Sequence, residues 1–217
     1  MIINICFHGI GSCAQEREPG EAHYWVAKDT FLRVLDAVSA HPHVRLSFDD
    51  GNISDVSVAL PALQERGLRG SFFALAGRLD DSVSLGPSDL RELRRAGMSI
   101  GTHGWAHVPW RGLTPDEARR ELVDARDTLA DASGGPIAEA ALPLGRYDRQ
   151  LLGRLKDSGY RTVYTSDRLP VRSTAWLQAR YSITADDTVD SVRSMIAYQP
   201  RLKNAGKSVF SMFKRIR

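Results

Sequence analysis

Residues 44–51 read VRLSFDDG, and this stretch decides the fold. Its first five residues are typical of a buried strand, which ends at two carboxylates and a glycine. Side chains within a strand alternate between faces, but Gly51 permits a turn, so Asp49 and Asp50 can reach one site with different roles. Asp-Asp-Gly on its own is also an ordinary turn sequence.

A second stretch, residues 98–107, reads MSIGTHGWAH and places two imidazoles four residues apart after another apparent strand. Such a histidine pair can also cap or line a core. A catalytic divalent metal needs about three protein ligands and an open position. Asp50, His103 and His107 would supply those ligands, and Asp49 would accept the proton of the attacking water.

The rest of the chain alternates strand and helix patterns, which predicts parallel strands wrapped by helices in an α/β fold. Strands are predicted at 2–7, 44–48, 69–76, 98–102, 138–142, 161–165 and 178–183, and helices near 28–40, 54–66, 88–96, 115–132, 147–158 and 187–198. Both candidate sites then follow strands at their carboxyl ends, where α/β barrels keep their chemistry.

These two stretches resemble the first motifs, T-F-D-D-G and H-[ST]-x-x-H, of the polysaccharide deacetylase family, the NodB-homology group or carbohydrate esterase family 4. The resemblance covers roughly residues 1–185. It implies an incomplete (β/α)7 barrel, a NodB-like deformed TIM barrel. It also implies that Asp49 is the catalytic base and that Asp50, His103 and His107 bind a divalent metal, zinc first, with cobalt, nickel, manganese and iron as alternatives.

The third family motif, R-x-P-[FY]-G, corresponds to ALPLG at residues 141–145. Family members often use its arginine to orient the base, but here Ala141 stands near that place. Either Asp49 is oriented otherwise or activity is weakened. The resemblance assigns the backbone N–H of Leu144 to the oxyanion, although Pro-Leu-Gly is also an ordinary strand-to-helix turn. Asp167 is a candidate remnant of the fourth motif, D-x-x-D-W, without its tryptophan.

The fifth motif, a strand ending in the general-acid histidine, is absent from the C-terminal half, since no histidine follows His107. Residues 2–7, IINICF, instead read as a strand that leads directly into His8. This order resembles the circularly permuted branch of the family, and it implies that His8 protonates the leaving nitrogen. The alternative is a loop histidine near the start of a domain.

Substrate contacts are predicted around the second motif. Trp105 and Trp110 flank His107 and could stack on a sugar ring, although buried aromatic residues are commoner at strand ends. Arg146, after the third motif, is predicted to contact substrate as well. The segment 12–25 is expected to form a loop over the same end of the barrel.

Length and charge favour one domain with a distinct tail. The chain has 217 residues, is 42% hydrophobic and carries a formal charge of +3. We assign residues 1–200 to the deacetylase-like domain. Residues 201–217 hold six basic residues and no acidic ones, and they suit an amphipathic helix that touches a membrane surface or an anionic lipid-linked substrate, or one that packs on the barrel. No nucleic-acid-binding motif is evident.

The expected location is the cytoplasm, with peripheral contact at the inner membrane face, because the opening residues lack a signal-peptide pattern. Cys6 and Cys13 are expected to be free thiols. Two functions remain open. One is a metal-dependent N-deacetylase acting on N-acetylated sugars of a surface polysaccharide or its lipid- or nucleotide-linked precursor. The other is a catalytically silent carbohydrate-binding relative of the same fold.

Overall fold

Seven parallel strands close into a barrel in the computed structural model, which describes residues 1–197. The nine strands are β1 (Ile3–Phe7), β2 (Gly9–Ile10), β3 (Trp25–Val26), β4 (Val44–Phe48), β5 (Gly70–Ala74), β6 (Ser99–Thr102), β7 (Glu139–Ala141), β8 (Thr162–Thr165) and β9 (Leu177–Ser182). The barrel order is β1-β4-β5-β6-β7-β8-β9, and β2 pairs with β3 in a separate small sheet. The predicted (β/α)7 barrel is confirmed.

Helices follow the barrel strands on the outside, as the alternating pattern predicts. They are α1 (Lys28–Ser39), α2 (Leu60–Glu65), α3 (Pro87–Arg95), α4 (Pro115–Arg119), α5 (Ala125–Ser133), α6 (Arg149–Asp157) and α7 (Val189–Ile196). A π-helical turn, Asp55–Ala59, leads into α2, and another, Arg120–Asp124, joins α4 to α5. Thr114 caps α4 by accepting a hydrogen bond from the backbone N–H of Glu117.

The first strand of the chain closes the barrel, because β1 hydrogen-bonds in parallel to both β4 and β9. The first strand therefore lies beside the last one, an arrangement consistent with the permuted order that the sequence suggests. Ile5 and Phe7 pack into the main hydrophobic core, where the ring of Phe7 meets Phe31 of α1 edge-on at 5.0 Å. The alternate residue Asn4 hydrogen-bonds the side chain of Gln178 on β9 at 3.0 Å. The strand therefore ends with His8 at the carboxyl rim.

A stack of aromatic rings fixes the direction of β4, the strand that ends at the two carboxylates. Phe48 stacks on Phe72 of β5, with ring centroids 4.5 Å apart, and lies 5.7 Å from Phe7. Gly70 makes room for this stack, since a Cβ there would lie 2.9 Å from the Phe48 ring. Buried side chains of this size each contribute about 1.5–3 kcal/mol, so β4 is held firmly beneath the site.

The segment between β2 and β3 lies over the carboxyl end of the barrel, as the sequence predicts. Arg17 anchors it by donating hydrogen bonds to Glu21 at 2.7 Å, to Ser84 at 3.0 Å and to Asn52. Because Asn52 directly follows the Asp-Asp-Gly turn, this guanidinium ties the segment to the first motif.

The predicted tail, residues 201–217, lies outside the described residues. Within residues 1–197, no helix combines the length and hydropathy that crossing a membrane requires. Cys6 is buried, Cys13 is partly exposed, and both are free thiols, as predicted.

Candidate active site

A cavity of about 280 Å³ opens at the carboxyl ends of the barrel strands. Its wall brings together residues that are far apart in the chain but were predicted to share one site: His8, Asp49, Asp50, His103, His107, Leu144 and Arg146. The segment between β2 and β3 adds Glu18, Glu21 and Tyr24 to the wall. The structure shows that these residues line one cavity. The catalytic and metal-binding roles assigned to them stay predictions.

Asp50, His103 and His107 form a compact donor set, with one ligand atom of each within 4.8 Å of the others. Oδ1 of Asp50 lies 3.6 Å from Nε2 of His103 and 3.4 Å from Nε2 of His107. This oxygen is buried and has no hydrogen-bond partner among the residues that the structure describes. One carboxylate and two imidazoles arranged in this way fit a zinc-like divalent ion with an open coordination position.

Left-handed backbone conformations place these ligands. Asp50 has a φ of 72°, Gly51 of 62° and His107 of 56°. The turn at Asp50 breaks the strand alternation, so Asp49 and Asp50 both line the cavity, as the sequence predicts for an Asp-Asp-Gly turn. Such conformations cost non-glycine residues about 1–3 kcal/mol each and cluster at functional sites.

His103 is prepared to act as a neutral ligand. Its Nδ1–H donates to the carbonyl oxygen of Ala141 at 2.8 Å, so Nε2 keeps its lone pair on the side of Asp50. Burial lowers the pKa of His103 to about 4, although the neighbouring charges of Asp49 and Asp50 oppose the shift. The ring is therefore neutral at neutral pH.

Asp49 is held by Arg180 of β9, a residue that no sequence motif marks. The guanidinium donates to both carboxylate oxygens, NH1 to Oδ1 and NH2 to Oδ2, each at 2.6 Å. Burial alone would raise the pKa of Asp49, but Arg180 and His103 outweigh it and hold that pKa well below its usual range. The possibility that Asp49 is oriented by something other than the third-motif arginine is thereby confirmed.

Arg180 is itself buried inside the barrel. Its guanidinium lies 5.4 Å from the ring centroid of Phe73 and 5.5 Å from that of Tyr164, and these rings pack with Ala141. NH1 also donates to Ser47 Oγ at 3.1 Å. The signal available in the sequence was an arginine within a strand of buried residues, but its partner Asp49, which directly follows β4, is 131 residues away.

His8 lies on the cavity wall at the end of β1, as the permuted order predicts. One of its ring nitrogens and a carboxylate oxygen of Asp49 lie within 4.8 Å of each other. Its ring is 4.8 Å from that of Tyr24, and its Nδ1 is buried without a hydrogen-bond partner among the described residues. The position is confirmed, and the role as general acid stays a prediction.

Leu144 and Arg146 occupy the opposite wall. Leu144 lies in the 3₁₀ turn Pro143–Gly145, with a φ of 55° and half of its surface (51%) exposed. Arg146 follows on the exposed rim. Asp167, the candidate remnant of the fourth motif, accepts hydrogen bonds from the Tyr147 hydroxyl at 2.6 Å and from Thr165 at 3.0 Å.

The structure does not place Trp105 and Trp110, which were predicted to contact substrate, on the cavity wall; both instead hydrogen-bond to Glu121. Trp110 is only 2% exposed, and its Nε1–H donates to Glu121 at 3.2 Å. The backbone N–H of Trp105 donates to the same carboxylate at 2.8 Å, and its ring packs against Gly77. Tyr24, which is 39% exposed, places a phenol ring on the cavity wall.

Comparison with known proteins identifies the family. The model of the family described as Polysaccharide deacetylase matches residues 37–163, more than half of the chain, so the chain belongs to the polysaccharide deacetylase family. One curated relative, "Putative polysaccharide deacetylase YxkH" of Bacillus subtilis (strain 168), is 25% identical over 124 residues. That match covers 57% of this chain and 44% of the relative, so this chain spans less than half of the relative's length.

Two solved structures share the fold. The Streptococcus pyogenes deacetylase PplD in complex with acetate is 20% identical, has a TM-score of 0.72, and the match covers 92% of this chain and 98% of that chain. IcaB from Ammonifex degensii is 19% identical, has a TM-score of 0.73, and the match covers 91% of this chain and 97% of that chain. At these identities the likeness establishes the fold alone.

Proposed function

We propose that this protein is a metal-dependent N-deacetylase that removes acetyl groups from N-acetylated sugars of a surface polysaccharide or of its lipid- or nucleotide-linked precursor. One observation carries the proposal: the Asp50, His103 and His107 donor set lies in one cavity with a carboxylate, Asp49, that is buried and held by Arg180. Membership of the polysaccharide deacetylase family supports it.

The donor set fits a divalent ion, since the buried Oδ1 of Asp50 has no hydrogen-bond partner among the described residues and faces two imidazole nitrogens. When bound there, an ion such as zinc, or alternatively cobalt, nickel, manganese or iron, would polarise the acetamide carbonyl and lower the pKa of a water molecule.

Asp49 would accept the proton of the attacking water. Because its pKa is held below the usual range, Asp49 is ionised at neutral pH and free to accept that proton, but it is a weaker base than an isolated carboxylate. The ion pair with Arg180 therefore fixes the orientation of the Asp49 carboxylate and lowers its basicity. A base within reach of the attacked carbonyl gains from being fixed in place, since misplacement by about 1 Å can cost about 10²-fold in rate.

The amine side of the reaction would involve His8. As the C–N bond breaks, the leaving nitrogen takes a proton from the His8 ring, and the products are acetate and a free amino sugar. The backbone N–H of Leu144 would donate to the developing oxyanion from the opposite wall. Tyr24 and Arg146, both exposed at the cavity, would contact the sugar.

The catalytically silent alternative loses one of its two grounds. It rested on Ala141 in place of the orienting arginine and on the missing fourth-motif tryptophan. Arg180 supplies a guanidinium to Asp49 from another strand, so the absence at Ala141 no longer argues against activity.

The test is acetate release by purified protein that has been stripped of metal and reloaded with zinc or cobalt. The substrates are polymeric, lipid-linked and nucleotide-linked N-acetyl sugars, with the metal-free protein as control. We expect metal-dependent acetate release from at least one class. Metal-loaded protein that releases no acetate from any of them would reject the proposed function.

A further inference from the structure

We propose that Glu18 is a positioning residue for the metal site, holding His107 in the tautomer and orientation that a metal ligand needs. This inference rests on the proposed function. It concerns a carboxylate in the segment between β2 and β3, which no sequence motif marks. It makes this segment part of the metal site as well as its cover.

The contact between Glu18 and His107 is short and uses both carboxylate oxygens. Nδ1 of His107 lies 2.7 Å from Oε1 and 2.6 Å from Oε2 of Glu18. An ionised carboxylate can only accept hydrogen bonds, so Nδ1 carries the hydrogen and donates it. In the neutral ring, Nε2 then keeps its lone pair, 3.4 Å from Oδ1 of Asp50.

The two histidine ligands thus share a tautomer but have different outer partners. His103 donates its Nδ1–H to the neutral carbonyl of Ala141, whereas His107 donates to an anion. Partners of this kind orient metal-binding imidazoles and raise their basicity, and their loss typically weakens metal binding about 10–100-fold. Glu18 should therefore affect metal affinity through its hydrogen bond to His107, although it is not itself a metal ligand.

Glu18 is held in place from the other side by Arg78. NH2 of Arg78 donates to Oε1 of Glu18 at 2.7 Å, from the 3₁₀ turn Ala76–Arg78 that follows β5. The side chain of His107 is only 11% exposed and that of Glu18 is 34% exposed, so the contact is partly shielded from water. Two fixed partners define the plane of the carboxylate, which leaves the imidazole little freedom to rotate.

The backbone conformation of His107 is unfavourable, so contacts of its side chain are needed to maintain it. His107 adopts a left-handed conformation, with a φ of 56°, which costs a non-glycine residue about 1–3 kcal/mol and persists only where surrounding contacts impose it. The charge-assisted hydrogen bond from Nδ1 to the Glu18 carboxylate is one such contact.

The experiment measures the metal affinity of metal-free protein, by competition for zinc with a chromophoric chelator. The variant is Glu18→Ala, and the matched control is Glu16→Ala, which removes a carboxylate of the same segment that binds the backbone N–H of Ala22 at 2.8 Å. We expect Glu18→Ala to weaken zinc binding by about 10–100-fold and Glu16→Ala to leave it unchanged. Glu18→Gln, whose amide oxygen can still accept from Nδ1, should recover part of the loss.

The outcomes separate this inference from the function on which it rests. If wild-type protein binds zinc and Glu18→Ala binds it equally well, the inference fails while the proposed function stands. An equal loss in Glu16→Ala would also overturn it, because the effect would then belong to the segment as a whole. If the wild type binds neither zinc nor cobalt, nickel, manganese or iron, both fail. Should Glu18→Ala unfold, Glu18→Leu decides, because leucine fills similar space but offers His107 no oxygen: zinc affinity equal to that of the wild type would overturn the inference.

Discussion

Arg180 and Asp49 form a buried, bidentate ion pair inside the barrel, with both nitrogen–oxygen distances at 2.6 Å. Arg180 lies in β9 and Asp49 directly follows β4, and β1 lies between these strands and carries His8 at its end. Three adjacent strands thus deliver the proposed base, its orienting cation and the proposed acid. Closure of the barrel by its first strand is what assembles them.

Arg180→Lys should keep the charge but lose the fork that grips both oxygens of Asp49, because a lysine ammonium is a point donor. We expect kcat/KM to fall by up to about 10²-fold with metal content unchanged. Steady-state kinetics together with metal analysis checks this. Wild-type kcat/KM in Arg180→Lys would show that the bidentate geometry does not matter.

Arg180→Met should act mainly on stability. It leaves the Asp49 carboxylate buried without its partner, which typically costs about 3–5 kcal/mol. Urea denaturation at neutral pH measures the change in the free energy of unfolding. A variant as stable as the wild type would mean that the pair contributes nothing to holding the carboxylate in its buried, ionised form.

His8→Ala should lower turnover by about 10²–10⁴-fold, the usual contribution of a general acid. Metal content and the thermal unfolding midpoint should stay close to wild type, because His8 is outside the donor set. His23→Ala is the control, since it removes a half-exposed imidazole from the segment between β2 and β3. Unchanged turnover in His8→Ala would place the acid elsewhere.

Asp55 gives a pH-dependent prediction. It is fully buried, and neither carboxylate oxygen has a hydrogen-bond partner among the described residues. Burial, reinforced by the charges of Asp50 and Asp49, raises the pKa of Asp55 well above its usual range. In the unfolded chain this carboxyl ionises near pH 4. Its stabilising contribution is therefore fully present below that pH and is lost as pH rises toward its folded-state pKa.

Asp55→Asn should remove this dependence. We expect its free energy of unfolding, relative to wild type, to increase as pH rises from about 4 toward neutrality. Urea denaturation of metal-free protein at several pH values gives the comparison, and Asp131→Asn, on an exposed face of α5, is the control. A difference that is independent of pH, or that shrinks as pH rises, would contradict the assignment of a protonated Asp55.

The barrel and most of the site could be predicted from the sequence because they depend on local patterns. Strand alternation, the turn at Gly51 and the histidine spacing are each confined to a few residues. Arg180 and Glu18 could not be assigned a role in this way, since their partners lie 131 and 89 residues away and only the closed barrel brings them together. Trp105 and Trp110 do not line the cavity, because proximity in sequence to His107 does not say which side of the loop an indole faces.

The central claim is that two neighbouring carboxylates have different tasks: Asp49 accepts a proton and Asp50 binds the metal. Measuring bound metal and turnover together in Asp49→Asn and Asp50→Ala tests this claim most directly. Asp49→Asn should keep about one metal ion per chain, since all three ligands remain, and lose about 10²–10⁴-fold in turnover. Asp50→Ala should lose the metal, and His103→Ala and His107→Ala should behave likewise. Full metal occupancy in Asp50→Ala, or near-wild-type turnover in Asp49→Asn, would contradict the account.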